Sequence, residues 1–368
     1  MRLLAGIGGA AVLVVVLWDA FETIVLPRRV SRRLRLTRLF YGATWRPWAA
    51  SARLVRNGNR RELYLSFYGP LSLVLLLALW AAGLVAGFGL LQYANGSAVQ
   101  LGTETGGLST DLYLSGTTFF TLGLGDVVPR GSVARLLTVV ESGLGFGFLA
   151  IVIGYFPVIY QAFSRREANI SLLDARAGSP PSAMELLRRH GGAGGLEALE
   201  QLLREWEHWA AEVLESHLSY PLLAYFRSQH NNQSWLSALT TMLDASALVM
   251  VGVEGPCTRQ ARLTFAMARH AVVDLAQVFS TPPRAAPEDR LPAPLLGSLR
   301  AELGAAGFAL AEGAAVDERL GELRRMYEPY VAALSRYLLQ PLPAWRYPKP
   351  RRDNWQSSAW DRALAQKQ

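Results

Sequence analysis

The chain has 368 residues, of which 51% are hydrophobic and only 18% are charged. This balance is richer in apolar residues than that of most soluble proteins, and it indicates several membrane spans. The formal net charge of +8 comes mainly from arginines beside an apolar stretch, which favours an anionic membrane surface over nucleic acid as the partner. The single cysteine, Cys257, excludes an intrachain disulfide.

Three apolar stretches are long enough to cross a membrane as helices, which takes about 20 residues for about 30 Å of hydrocarbon. They are residues 3–26, 63–91 and 142–163, the last in a helix expected to begin near Val133. A signal peptide is the alternative for the first stretch. No small-residue cleavage pattern follows it, and the arginines stand after it, so a span is favoured.

Two acidic residues, Asp19 and Glu22, lie one helical turn apart near the end of the first span. Acidic residues within a span are candidates for function and need a partner. The favoured interpretation pairs them with Arg28 or Arg29, and a role in gating is the alternative.

Arginine is distributed unevenly between the loops. Residues 27–62 contain eleven arginines and one acid, whereas residues 94–132 contain three acids and one arginine. Because Lys and Arg favour the cytoplasmic side, the N-terminus is expected outside, residues 27–62 inside and everything after Arg165 inside. The prediction is a multi-pass protein of an inner (plasma) membrane.

The loop after the first span is strongly basic. Four arginines recur there at every third residue, as in a voltage-sensor helix: Arg29, Arg32, Arg35 and Arg38. A sensor needs partner spans, and only one span precedes this loop. The favoured interpretation is a helix on the surface of anionic lipid, bound through residues 28–38, with Trp45 and Trp48 near the headgroups.

Residues 166–340 are predicted to form an α-helical cytoplasmic domain. Ser182 and Glu185 form a capping-box pair at the start of its first helix. Residues 234–253 could be a fourth span, but Asp244 lies at their centre, so a buried core helix is favoured. The other helices are expected at residues 182–190, 196–218, 257–280, 293–310 and 316–339.

Residues 117–126 read Thr-Thr-Phe-Phe-Thr-Leu-Gly-Leu-Gly-Asp and lie between the second and third spans. This segment resembles the tetrameric cation channels with a pore loop, whose potassium filter commonly reads Thr-Val-Gly-Tyr-Gly-Asp. The resemblance covers roughly residues 63–165. It implies an all-α module of a prokaryotic potassium channel, with an outer helix, a pore helix, a filter and an inner helix. It also implies a homotetramer, with one loop from each chain.

The residue types of this loop suit a potassium filter, in which rings of backbone carbonyls replace the water around the ion. Glycine permits the backbone angles that this requires, because it has no Cβ. Residues 111–120 predict a pore helix whose C-terminal end favours cations. The predicted filter consists of Thr121, Leu122, Gly123, Leu124, Gly125 and Asp126.

Two residues depart from the family pattern. Leu124 stands where the family usually has an aromatic residue that braces the filter, and Thr117 stands where several relatives have a glutamate that pairs with the filter aspartate. Selective K⁺ conduction is the favoured function. The departures leave two alternatives, a weakly selective cation channel and a channel-derived membrane sensor or scaffold with little conduction.

The third span contains glycines and a proline that permit bending. The resemblance places the family's hinge glycine at Gly145, although close packing through small residues explains such glycines equally well. Pro157 is the better candidate for a bend. The gating candidates are Gly145, Gly154 and Pro157.

The remainder of the chain shows no enzyme motif and no cofactor site, so K⁺ as the permeant ion is the expected ligand. Glu205 and His208 have the spacing of a di-iron helix but lack the second copy that such a site needs. A ligand pocket at residues 227–234 is an open alternative to a plain loop. The domains are therefore predicted at 1–26, 27–62, 63–165, 166–340 and, as a basic Trp-rich tail, 341–368. The fourth is expected to regulate the gate, with assembly of the tetramer as the alternative.

Overall fold

The computed structural model describes residues 1–26, 35–97, 99–100, 106–347 and 352–356. These residues are almost entirely helical, which confirms the all-α fold class. They form two compact units, residues 1–54 with 67–161 and residues 55–66 with 162–368, each within its described part. Four helices of the described chain are long and apolar enough to cross a membrane.

The described part of the first half of the chain contains six helices and two short strands. The helices are α1 (Arg2–Ala20), α2 (Leu36–Leu54), α3 (Gly58–Ser66), α4 (Tyr68–Ala94), α5 (Leu108–Phe119) and α6 (Ser132–Ala177). A π-helical turn, Phe21–Val25, extends α1. Strands β1 (Val99–Gln100) and β2 (Val128–Pro129) pair antiparallel on either side of α5. All of these elements except α3 and the end of α6 belong to the first unit.

Helices α1 and α4 pack closely and antiparallel through glycines. A Cβ on Gly9 would stand 2.7 Å from the carbonyl oxygen of Gly87, and one on Gly83 would stand 2.8 Å from Val16 Cγ2. Small residues let two backbones approach in this way within a membrane, where apolar contact alone does not drive association. The first apolar stretch therefore forms a helix fitted along the second.

Helix α6 is longer than the apolar stretch that predicted it. It starts at Ser132, runs without a break through Pro157 and ends at Ala177. The boundary between the two units falls inside it, after Gln161. Much of its apolar surface is exposed in the single chain, at Leu136, Val139, Phe146, Leu149 and Ile153.

The basic segment predicted at 27–62 is divided in the structure. Helix α2 belongs to the first unit and α3 to the second. Trp45 is 3% exposed and packs edge-on against Tyr68 at 4.8 Å between ring centroids, so its ring contacts protein, and its expected place near lipid headgroups stays a prediction. Residues 27–34, with Arg28, Arg29, Arg32 and Arg33 of the lipid-binding prediction, lie outside the described residues.

The second unit is built from helices alone in the part that the structure describes. They are α7 (Ala183–Arg189), α8 (Gly195–Ser219), α9 (Trp235–Gly252), α10 (Pro256–Val278), α11 (Ala293–Ala305), α12 (Ala314–Arg325) and α13 (Glu328–Leu338), with short 3₁₀ turns at Pro221–Tyr225 and Asn354–Gln356. Ser182 caps α7 by accepting a hydrogen bond from the Glu185 amide, as predicted. Of the predicted tail, residues 348–351 and 357–368 lie outside the described residues.

Helix α9 forms the core of this unit, with every residue from Trp235 to Val249 buried. The carboxylate of Asp244 at its centre is satisfied by Arg290, at 2.6 Å and 3.2 Å, and by the Tyr327 hydroxyl at 2.5 Å. A buried charge is tolerated only when it is paired and hydrogen-bonded. The arrangement suits a core helix, although α9 also meets the length and hydropathy of a span.

One predicted helix is divided in two. Residues 316–339 were expected to be continuous, but the structure ends α12 at Arg325 and begins α13 at Glu328. Pro329 is in the first turn of α13. Proline lacks the N–H that an interior helical position needs and suits a first turn, so the chain breaks just before it.

Candidate ion-conduction site

In the segment after α5, the sign of the backbone dihedral φ alternates from one residue to the next. Thr121, Gly123 and Gly125 have φ of +58°, +55° and +78°, whereas Leu122 and Leu124 between them have negative φ. In an ordinary extended strand every residue has a negative φ, and successive carbonyls point to opposite sides of the strand. Alternation of left- and right-handed residues turns successive peptide groups to one side, as in the backbone nests that gather N–H groups around an anion. With carbonyl oxygens on that side, the same geometry suits a cation.

Thr121 is the unusual member of this series. A positive φ is rare for a β-branched residue. Such strain costs on the order of 1–3 kcal/mol and persists where the surrounding structure imposes it, typically at functional sites. Here the Thr121 amide donates to the Thr118 carbonyl at 3.0 Å, which holds the residue at the C-terminal end of α5.

The filter segment is tied to the end of α5 by its own amides. The N–H groups of Leu122 and Gly123 both donate to the Thr117 carbonyl, at 2.8 Å and 3.3 Å. The Thr117 hydroxyl donates to Leu114 O at 3.0 Å and so stays within the helix. Thr117 therefore contributes its carbonyl to the filter, where relatives are expected to contribute a side chain.

Tyr113 supplies a brace that sequence reasoning did not find. Its hydroxyl donates a hydrogen bond of 2.8 Å to Asp126 Oδ2, at the other end of the filter. Tyr113 lies four residues before Thr117, on the same face of α5, and this spacing was the available signal. Leu124 and Thr117 depart from the family pattern, and Tyr113 supplies Asp126 with a side-chain partner that neither of them provides.

All the residues from Phe120 to Asp126 are exposed in the single chain. Non-helical backbone at membrane depth is stable only when other protein covers it or when it lines a water-filled path. At membrane depth, this exposed segment would need a neighbouring protein or a pore beside it.

A second buried contact ties α5 to both flanking helices. The Ser115 hydroxyl contacts Val85 O at 2.7 Å and is hydrogen-bonded to Glu141 Oε1 on α6. Glu141 is fully buried, and its Oε2 has no hydrogen-bond partner among the described residues. Glu141 stands one residue before the third apolar stretch and was therefore not singled out in the sequence. An acidic residue directly beside an apolar stretch was the available signal of a buried polar contact.

Gly145 is a packing residue in this structure. A Cβ there would stand 2.1 Å from the carbonyl oxygen of Phe119, the last residue of α5. By contrast, a Cβ on Gly143, Gly147 or Gly154 would meet nothing within 4 Å in the described chain. Of the two readings for Gly145, hinge and close packing, the geometry supports packing of α6 against the base of the filter.

The acids of the first span have partners other than those expected. Asp19 is buried and accepts from Trp80 Nε1 at 3.0 Å, and from the Thr37 hydroxyl at 2.5 Å and amide at 3.1 Å. Glu22 accepts from Trp18 Nε1 at 2.7 Å and pairs with Arg35 at 3.4 Å. Asp19 thus joins α1, α2 and α4, while the expected pairing with Arg28 or Arg29 lies outside the described residues.

The other candidate sites belong to the second unit. Glu205 and His208 are exposed on α8, and no group of three or more His, Cys, Asp or Glu in the described chain is arranged to hold a metal ion. Ser234, in the polar run 227–234, caps α9 by accepting from the Ser237 amide at 3.0 Å.

Comparison with known proteins bears on the module that contains this segment. Residues 74–161 match the model of a family described as ion channels, which confirms the pore-loop ion-channel module in this part of the chain. A membrane protein of Bacillus subtilis, YdjJ, described as uncharacterized, is 22% identical over 191 residues. The match covers 51% of this chain and 55% of that protein, so the chain spans about half the length of this relative. No solved structure matches the chain.

Proposed function

We propose that this chain is one subunit of a homotetrameric potassium channel in a prokaryotic inner (plasma) membrane. The observation that carries the proposal is the alternating hand of Thr121, Gly123 and Gly125, which suits a row of carbonyl oxygens. Four such rows around an axis would replace the water shell of K⁺ and let the ion pass down its gradient. No cofactor takes part, and K⁺ is the only ligand proposed.

Assembly follows from what a single chain leaves uncovered. One chain has one pore segment, and a ring of carbonyls needs several copies of it. The exposed segment 120–126 and the exposed apolar surface of α6 are then covered by neighbouring subunits and lipid. Closed rotational symmetry is the usual form of such homo-oligomers.

Side chains around the filter set its rigidity. In this proposal, Tyr113 holds Asp126 at one end of the filter, and the Thr117 carbonyl holds the amides of Leu122 and Gly123 at the other. The C-terminus of α5 contributes partial negative charge toward the cavity and favours a cation there. These supports favour selective K⁺ conduction over the weakly selective alternative.

The proposed orientation places the N-terminus outside and the second unit in the cytoplasm, because arginine is concentrated in residues 27–62. Residues 28–38 would bind anionic lipid of the inner leaflet. The second unit is proposed to regulate the gate, because α6 continues into it without a break.

A flux experiment tests the proposal. Purified protein in liposomes is expected to pass K⁺, and Gly123→Asp is expected to abolish that flux by placing a charged side chain in each strand of the filter. Gly131→Asp is the matched control, because Gly131 also has positive φ (+80°) and open space at its Cβ but lies outside the filter. Flux that survives Gly123→Asp, or fails equally in both variants, contradicts the filter assignment. A wild-type protein that assembles but passes no cation favours the sensor or scaffold.

A further inference from the structure

A short segment near the C-terminus, Asp353 to Gln356, is seated on the second unit by polar contacts. The amides of Asn354 and Trp355 donate to the two carboxylate oxygens of Asp174, at 3.4 Å and 3.1 Å. Asp174 lies in the last turn of α6 and is buried. A carboxylate that receives two adjacent backbone N–H groups recognises the backbone of a peptide turn rather than a particular side chain.

Arg189, on α7, binds the Asp353 side chain of the same segment. Arg189 Nη1 and Nη2 approach the two oxygens of Asp353 at 2.8 Å and 3.2 Å, a two-pronged contact. Such a fork fixes a carboxylate in both position and plane. Asp353 itself is buried, so its charge depends on this partner.

The same guanidinium also caps α6. Arg189 Nη1 donates to the carbonyl oxygens of Asp174 and Ala175, at 3.3 Å and 2.6 Å. Cations near a helix C-terminus satisfy its last carbonyls and interact favourably with its dipole. One side chain therefore bonds both the tail segment and the end of α6, and loss of Asp353 would alter that cap.

A third contact adds sequence selectivity. The side-chain amides of Asn232 and Asn354 exchange two hydrogen bonds, at 3.1 Å and 3.2 Å. The reciprocal pairing needs an amide on both sides. Asn232 belongs to the polar run 227–234, in which a ligand pocket was an open alternative, and here that run contacts the chain's own tail.

No apolar anchor holds the segment. Trp355 is 66% exposed, and its Nε1 donates back to Asp353 Oδ2 at 3.1 Å. Polar contacts exchange readily for contacts with water, so each adds little net stability. Because the segment is covalently attached, its effective concentration at these contacts is high. Weak individual contacts together with a high effective concentration favour reversible binding of the segment.

We propose that Asp174, Arg189 and Asn232 form a peptide-binding cradle whose ligand is the chain's own Asp-Asn-Trp turn, residues 353–355. The ligand class is a short peptide that presents a carboxylate to Arg189, a carboxamide to Asn232 and two consecutive amides to Asp174. The cradle is built on the last turn of α6, so release of the tail is expected to change gating. This part of the proposal rests on the proposed channel function.

Hydrogen exchange on the full-length protein tests the cradle without reference to flux. The Asn354 and Trp355 amides are expected to be protected in the wild type. Arg189→Gln is expected to speed their exchange at least tenfold, because it removes the fork to Asp353. Arg188→Gln is the matched control, since Arg188 is half exposed and its guanidinium bonds only Glu185 among the described residues. Unprotected amides in the wild type, or equal exchange in both variants, overturn the cradle.

A second measurement uses a labelled peptide of residues 350–358 added to full-length Asp353→Ala, whose own tail is weakened. The peptide is expected to bind and raise fluorescence anisotropy, and the same peptide with Asp353→Asn is expected to bind at least tenfold more weakly. Equal binding of the two peptides, or none of either, overturns the ligand assignment.

Channel recordings separate the gating claim from the proposed function. Asp353→Asn is expected to change the open probability and leave selectivity unaltered. An unaltered open probability overturns the gating claim while the cradle stands on the exchange data. A wild type that conducts nothing overturns the proposed function, and the exchange and peptide measurements still decide the cradle.

Discussion

The hydroxyl of Tyr113 stands 2.8 Å from Asp126 Oδ2, so one hydrogen bond joins helix α5 to the far end of segment 121–126. The near end of the segment is held by the Thr117 carbonyl, which lies one turn further along the same helix. A single helix thus holds both ends of the segment that we propose as the filter. Rigid placement of those oxygens is what a selective filter needs.

Tyr113→Phe removes this bond and keeps the ring. We expect the ratio of K⁺ to Na⁺ flux in liposomes to fall, because loss of the hydrogen bond frees the Asp126 carboxylate and loosens that end of the proposed filter. Tyr93→Phe, on α4, is the control and should leave the ratio unaltered. A Tyr113→Phe protein as selective as the wild type would show that Asp126 needs no brace.

Gly145→Ala tests packing against hinge bending in α6. The added Cβ would meet the Phe119 carbonyl at 2.1 Å, a backbone atom that cannot turn aside. Overpacking of this kind costs about 1–3 kcal/mol, so we expect a lower Tm and reduced flux. Gly143→Ala and Gly147→Ala, where the chain leaves open space, should unfold near the wild-type temperature. Equal Tm values for all three variants would contradict the packing role.

His217 makes the second unit sensitive to acid. Its Nδ1 lies 2.8 Å from the Val213 carbonyl, which only accepts, so Nδ1 carries the proton and Nε2 accepts from Arg166 Nη1 at 3.2 Å. Burial, and then the nearby guanidinium of Arg166, hold the pKa of His217 well below its usual range. The ring is therefore neutral in the folded unit at neutral pH.

The sign of the pH effect follows from this lowered pKa. The unfolded chain takes up a proton at His217 below about pH 6.5, whereas the folded unit does not. The free energy of unfolding should therefore decrease as the pH falls below about 6.5, by at most about 1.4 kcal/mol per pH unit, until the folded pKa is reached. His217→Gln should flatten the decline of Tm between about pH 7 and about pH 5, and His208→Gln, on the exposed face of α8, should not. The same decline in both variants would assign the acid sensitivity to other groups.

Local sequence was enough to predict the elements around the pore. The spacing of Gly123 and Gly125 marks positions that need positive φ, and apolar runs of span length mark α1, α4 and α6. Ser182 was recognised as a helix cap because a cap depends on residues only three apart. Family resemblance added the arrangement of these parts, and the family match at residues 74–161 supports the module.

Contacts between distant residues could not be read in the same way. Ser115 meets Glu141 across 26 positions, and Asp174 meets the Trp355 amide across 181. Neither residue type signals such a contact in the sequence, since serine is common within helices and an acidic residue is common at the end of one. The break before Pro329 was a different failure. Its signal was present in the sequence, because proline disfavours the helical conformation of the residue before it.

The reversal potential of the purified protein in a planar bilayer, with K⁺ on one side and Na⁺ on the other, measures K⁺ selection by residues 121–126. We expect single-channel currents that reverse close to the K⁺ equilibrium potential and that disappear in Gly123→Asp but persist in Gly131→Asp. Currents that reverse near zero would contradict K⁺ selection by residues 121–126, and an assembled protein that carries no current would contradict conduction itself.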